Sequence, residues 1–306
     1  MSKGGGAMVR AARSSIPAAL FFAIIALASF AANAAGILYE KESIFGRVVV
    51  KEDEAGFRTL HFGSDGARQS VVKPGDLEHL ELPYAKTAMA GLALSAQVRR
   101  VLIVGLGGGS LPSFLRRHYP EATIDVVDID PEVINVAKQF FEFREDAAMR
   151  AHLADGRTFI EAVRTPYDIV FLDAFGSESV PEKLTTREFL QSVRRAVAPG
   201  GVVVGNIWGP HANRLYHSMV KTYYASFDEV AVLDVRGAGN KILLALPRRA
   251  GLSKPMLAER SRRLALEQRF RFDLVDLVNF GYDSQPASGP RMQGTILRDR
   301  DLGNLR

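Results

Sequence analysis

The stretch VLIVGLGGGSLP (101–112) runs four apolar residues into a glycine loop and leaves through Ser-Leu-Pro. A strand that enters such a loop and continues as a helix lets the backbone approach a ligand and aims free N–H groups at it. The dinucleotide fingerprint wants glycines at the first, third and sixth loop positions. Here those are Gly105, Gly107 and Ser110, so the sixth fails. Three aspartates follow, each closing a strand-like run: Asp128 in TIDVVDID, Asp155 in LADG and Asp173 in FLDAF. Ligands of open α/β sheets collect at that end of the strands. Asp128 is placed to accept from both ribose hydroxyls, and Asp155, beside Gly156, from an adenine amino group. Asp173 is placed to face the reacting end. One such Asp alone reads as a helix cap, whereas three in register after a glycine loop point to nucleoside binding. Asp130, just before Pro131, is read as the cap of the next helix.

The elements that must position these residues are legible in the periodicity. Residues 37–72 read as strands, with a hairpin around the acidic turn of GRVVVKEDEAGFRTLHF (46–62). Leu77 to Leu94 has helical spacing, with Pro83 tolerable only near a first turn. Strands and helices then alternate through VVVGNIW (202–208), and HANRLYHSMVKTYYASF supplies one more helix. EVAVLDV and KILLALP flank RGAGN as an antiparallel hairpin. The expected fold class is α/β: a Rossmann-like class I AdoMet-dependent transferase sheet, parallel with a terminal antiparallel hairpin, preceded by a small N-terminal β-domain. Gly105, Gly107 and Gly109 have the G-x-G-x-G spacing usual for AdoMet-binding loops. The divisions are a leader at 1–35, the β-domain at 36–76, the nucleoside-binding domain at 77–250 and a C-terminal helical or irregular extension at 251–306. That extension contains a basic helical stretch, SKPMLAERSRRLALEQRF, read as a solvated helix face.

Composition narrows the function classes. The net charge is +5, but three of the 39 Lys and Arg residues lie in residues 1–35, which carry no acid. The remainder is close to neutral against 34 Asp and Glu, so no nucleic-acid partner is expected. The absence of cysteine excludes disulfides, thiolate zinc sites and cysteine nucleophiles, and no metal is expected. The first 35 residues combine a basic start, an apolar run from Ile16 to Phe30 and an A-x-A at Ala32-Asn33-Ala34. That is the layout of a signal peptide, with a membrane anchor as the alternative. Either places the body outside the cytoplasm and limits membrane contact to this segment; a misassigned start would leave it cytoplasmic.

On these residues the chain resembles the spermidine synthase (polyamine aminopropyltransferase) family over roughly residues 37–247. DGARQS (65–70) stands where the family has D-G-x-x-Q-x, VDIDPEVINVAKQFF matches its E-I-D-x-x-V, and LADGRTFI its G-D-G-x-x-F. DAFGSESVPEKLTTREFL matches the segment D-S-S-D-P followed by L-[FY]-x-x-E-F. The resemblance implies a donor of the AdoMet type, S-adenosyl-L-methionine or decarboxylated S-adenosylmethionine, and Asp173 as the group that helps deprotonate an attacking amine. It suggests Gln69, Tyr84 and Glu178 as substrate-binding residues. Trp208, which follows the fifth strand at the cleft edge with His211 nearby, is a further candidate lining for the acceptor pocket, and the loop 174–186 is expected to act as a lid. A homodimer is among the expected assemblies. Departures concern the acids that hold cations: the family's loop Asp is Gly108 here, the second acid of D-S-S-D is Gly176, and Y-[HQ]-E reads Tyr84-Ala85-Lys86. An unpaired buried ammonium is costly, so these losses favour intact AdoMet and methyl transfer to an amine or protein acceptor. Aminopropyl transfer, with Glu178 replacing the lost acid, is the alternative. An exported, non-catalytic nucleoside-binding relative is the third reading.

Overall fold

The N-terminal part is an antiparallel meander of β1 (Gly36–Ser43), β2 (Gly46–Glu52), β3 (Arg58–Phe62) and β4 (Arg68–Val72). Our computed structural model describes residues 36–63, 66, 68–175, 180–283 and 293–303, so the leader, Gly176 and Glu178 lie outside it. The β2–β3 turn forms where Asp53 accepts from the N–H groups of Ala55 and Phe57. Val48, Val50, Leu60 and Val72 turn one face of this sheet into the core.

Seven strands form the main sheet, in the order β10-β11-β9-β8-β5-β6-β7. They are β5 (Arg100–Val104), β6 (Thr123–Asp128), β7 (Met149–Leu153), β8 (Tyr167–Leu172), β9 (Val197–Trp208), β10 (Glu229–Asp234) and β11 (Asn240–Leu246). β5 through β9 pair in parallel, and β10 and β11 add the antiparallel hairpin expected from the RGAGN turn. Alternation along buried strands feeds two cores: Val101 and Ile103 join one, Leu102 and Val104 the other. The first core receives α1 (Pro83–Ala88), α2 (Ser110–His118), α3 (Pro131–Phe140), α7 (Lys254–Gln268) and α8 (Leu274–Gly281). The second receives α4 (Gly156–Glu161), α5 (Arg187–Ala196) and α6 (Tyr216–Tyr224). β5 has β6 on one side and β8 on the other, so the chain reverses its winding there and opens a crevice at the strand ends.

Several boundaries differ from expectation for local reasons. The helix expected from Leu77 begins only at Pro83, because a proline pushes the residue before it to extended backbone, and Leu82 sits at ψ 127. It tightens into a 3-10 turn over Met89–Leu94, where Gly91 lies so close to β9 that a Cβ would stand 2.3 Å from Val204 Cγ2. α6 starts at Tyr216 and not near His211. Asn213 accepts from the Leu215 N–H and donates to the Trp208 carbonyl, a local alternative to helix. The basic tail helix is not merely solvated: α7 buries Leu257, Ala258, Ser261 and Leu264. The extension also contains α8, which packs on α7, α1 and β10. Residues 293–303 run along the opposite layer, where Asp299 takes both arms of Arg157 and Leu297 is buried.

The meander docks on α3 through polar groups. Glu132 accepts from Tyr39 and Lys41, and Asp130 from Ser43. Burial alone would raise the Glu132 carboxyl, but Lys41, Tyr39 and Asn135 hold it down at about 2.

At the other end of the sheet, Asp168 fixes β5 against β8. Its Oδ2 accepts from the N–H groups of Arg99 (2.8 Å) and Arg100 (2.9 Å), and its Oδ1 from Gln97. Replacing it leaves two backbone donors unpaired at a buried position. Asp168→Ala is expected to cost about 3 kcal/mol, read as a lower urea midpoint at unchanged slope.

Candidate active site

A cavity of about 600 Å³ opens at the switch point, between the carboxyl ends of β5, β6 and β8 and the meander. Each wall follows from a local constraint. The Leu106 N–H is taken by Asp128 Oδ2 at 2.8 Å, and the Asp130 N–H by Asp128 Oδ1 at 3.0 Å. Asp128 thereby ties the glycine loop to the end of β6. Burial raises its carboxyl, while those N–H groups pull the other way. Gly105, at φ +102, passes so close to the next strand end that a Cβ would lie 2.3 Å from the Asp173 carbonyl. Gly107, at φ +53, lines the cavity, and no acceptor among the described residues takes its N–H. Ser110 pins the loop to β4 by donating to the Val71 carbonyl.

Gly109 and Gly108 sit differently from the sequence expectation. Gly109, at φ +77, is the N-cap of α2 and packs on Phe143, outside the cavity lining. A Cβ at Gly108 would stand 2.6 Å from the ring of Phe141 and 2.8 Å from Ser70 Oγ. Phe141 is fully buried, so that ring has nowhere to yield. The position that carries an acid in the resembled family is therefore closed to a side chain here, and it too lies outside the lining.

Asp155 caps α4, accepting from the Thr158 N–H and hydroxyl, and ion-pairs with Lys183. Burial works to raise its carboxyl, but Lys183 and Thr158 outweigh that and hold it below the usual range. Both Asp155 and Lys183 line the cavity, with Gly156 behind them, where a Cβ would meet Val104. Asp130 caps α3 as expected.

Asp173, just past β8, receives Tyr84 Oη on Oδ2 (3.2 Å) and Asn206 Nδ2 on Oδ1 (2.8 Å). Burial pushes its carboxyl up to about 7, against the pull of those two donors. Burial, reinforced by the Asp173 charge, raises the Tyr84 hydroxyl well above its ordinary value. The carboxyl can thus hold or release a proton near neutrality, which suits general-base work on an amine. Gln69, Tyr84 and Trp208 line the same cavity, and Trp208 meets Phe175 edge-on at 6.0 Å. Lys86, which stands where the resembled family has an acid, and His211 do not line it. Glu178 falls outside the described residues. Asn206 and Asn240 escaped the sequence reading. Their signal was available: a polar residue inside the buried run VVVGNIW, and another opening the strand after RGAGN. Among the described residues no cluster of His, Asp and Glu could hold a metal, and no helix is long and apolar enough to cross a membrane.

Residues 83–232 match the spermine/spermidine synthase domain. The polyamine aminopropyltransferase of Vibrio vulnificus is 34% identical over 239 residues, covering 75% of this chain and 79% of that protein. The eEF1A lysine and N-terminal methyltransferase of Bos taurus is 34% identical over 215 residues, which are 64% of this chain and 30% of that protein. The crystal structure of human methyltransferase-like protein 13 in complex with SAH aligns at a TM-score of 0.56 and 31% identity, over 61% of this chain and 93% of that one. A probable spermidine synthase from Corynebacterium glutamicum shares the fold at a TM-score of 0.64 and 23% identity, over 76% of this chain and 87% of that one.

Two outcomes follow from this geometry. Gly108→Ala should destabilise by about 2 kcal/mol through overpacking. The paired change Phe141→Leu should return part of that loss, measured by thermal unfolding of the single and double variants. For Asp173, a carboxyl pKa raised from 3.8 to about 7 in the folded chain costs stability above pH 7, and that cost disappears below pH 4. Asp173→Asn should therefore raise the melting temperature at pH 8 and leave it unchanged near pH 3.5, while abolishing turnover.

Proposed function

This chain belongs to the spermine/spermidine synthase family, and within it we propose a methyltransferase that uses intact AdoMet on an amine, either free or on a protein. It is an AdoMet-type alkyl transferase by family. The observation that carries the finer reading is the packing at Gly108. Phe141 and Ser70 exclude the acid that a decarboxylated donor's ammonium would need, while the Gly107 N–H remains open to a carboxylate. AdoMet, when bound, supplies a methyl group on a sulfonium; transfer forms the N–C bond and breaks the C–S bond, whose electron pair stays on sulfur.

The chain's own residues prepare that displacement. Asp128, fixed by two N–H groups, offers its remaining lone pairs to a ribose, and Asp155 stands at the far end of the same cavity. Tyr84 and Asn206 hold the Asp173 carboxylate in one orientation, so that it accepts a proton from the incoming amine without losing its place. Trp208, Phe175 and Tyr84 supply an aromatic wall on the Asp173 side of the cavity, suited to an amine cation before it is deprotonated.

Aminopropyl transfer has an observation in its favour as well. Five acids, Glu81, Asp128, Asp130, Asp155 and Asp173, line the cavity against the two cations Arg68 and Lys183. Parallel calorimetric titrations of the full chain with AdoMet and decarboxylated AdoMet separate the two. AdoMet is expected to bind at least about tenfold tighter, a difference of about 1.4 kcal/mol. A preference for the decarboxylated donor would replace methyl transfer by aminopropyl transfer, and binding of neither would favour a non-catalytic relative.

A further inference from the structure

Asn206 and Asn240 occupy one face of the antiparallel pair β9–β11. Asn206 stands opposite Ile242 and Asn240 opposite Trp208, so the two asparagines are diagonal neighbours. Both are buried. Asn240 Nδ2 donates to Asn206 Oδ1 at 2.9 Å, and Asn206 Nδ2 donates to Asp173 Oδ1 at 2.8 Å. An amide has two unlike ends, and a rotation of half a turn exchanges them. A donor fixed on the oxygen end therefore decides which end meets Asp173.

We propose that Asn240 is a positioning residue, locking the Asn206 amide so that its N–H, and never its carbonyl, faces the Asp173 carboxylate. The lock has a chemical consequence. A protonated Asp173 needs an acceptor for its O–H, and a free amide could turn its carbonyl round to provide one. With the amide held, the ionised carboxylate keeps its Asn206 donor, and the protonated acid finds an acceptor only if the Tyr84 hydroxyl gives up its own donation and turns round. Asn240 thus opposes the burial that raises this carboxyl and keeps the base available near neutral pH.

Position explains why the lock sits on this hairpin. The β10–β11 turn returns the chain so that Asn240 opens β11 beside Trp208, and Gly209 and Gly239 close the strand ends by a backbone bond of 2.8 Å. The groups that face Asp173 directly are Tyr84 from α1 and Asn206 from β9. Asp128, Asp130, Asp155, Glu81, Lys183 and Arg68 line the same cavity, and Asn240→Leu changes none of them. Leu is close to Asn in size and adds no charge, so a change in the titration reports the lost hydrogen bond.

The proposal rests on Asp173 serving as the base, but its test does not require turnover. The full chain, labelled at Asp carboxyl carbons, is titrated by NMR, with the Asp173 signal assigned by its loss in Asp173→Asn. Asn240→Leu is expected to move the Asp173 midpoint upward, reducing the ionised fraction at pH 7 three- to tenfold. Asn206→Leu, which removes the donor itself, should shift it at least as far. An Asn240→Leu midpoint equal to that of the unaltered chain overturns the proposal, as does an Asn206→Leu variant that titrates normally. If Asn240→Leu fails to fold, Asn240→Ser, which is too short to reach Asn206, takes its place with the same two outcomes. Failure of methyl transfer with the titration shifted as expected would count against the donor assignment and leave the lock standing.

Discussion

Two backbone N–H groups closing on one half-buried carboxylate hold the site together. Asp128 binds Leu106 in the glycine loop and Asp130 in the next turn, so the ends of β5 and β6 are fixed to each other as well as paired along their length. The loop can then make its sharp excursion through positive φ at Gly105, Gly107 and Gly109 without drifting from the cavity. The same turn places Asp130 to cap α3 and receive Ser43, which brings the N-terminal meander over the opening. One carboxylate therefore links the loop, the second strand and the docking of the smaller sheet.

Packing behind the loop decides what its front can bind. Phe141 and Phe143 follow α3 and press on Gly108 and Gly109 from the core side. A side chain at Gly108 would face that aromatic layer and Ser70, not the cavity. A buried phenylalanine outside the cavity lining thus keeps position 108 without a side chain. Phe141 is itself fully buried in the core that receives α2 and α3, so its bulk also contributes apolar burial to stability.

Asp173 shows the opposite arrangement, in which burying a carboxyl costs stability at neutral pH. Burial drives its carboxyl towards neutrality, and Tyr84 and Asn206 recover only part of the cost of the charge. A group balanced in this way can take a proton near physiological pH, which an exposed aspartate cannot. Tyr84 from α1 and Asn206 from β9 hold it directly and Asn240 from β11 holds Asn206, so the placement of this carboxyl depends on elements far apart in the chain.

The sequence by itself determined the alternating α/β order, the terminal hairpin, the glycine loop and the three aspartates at strand ends, because periodicity and glycine spacing are local. Set beside the family it resembles, it also exposed Gly108 where that family carries an acid, since residue type needs no coordinates. It could not place the tightening of α1 into a 3-10 turn where Gly91 meets β9, nor α8, whose burial is supplied by α7, α1 and β10. Most of all, it could not join Tyr84, Asp173, Asn206 and Asn240. Hydrogen bonds between residues dozens of positions apart exist only after strand register is fixed, and register here follows from which side chains the two cores bury. The residue types were written in the chain; their meeting at one carboxylate was decided by the fold.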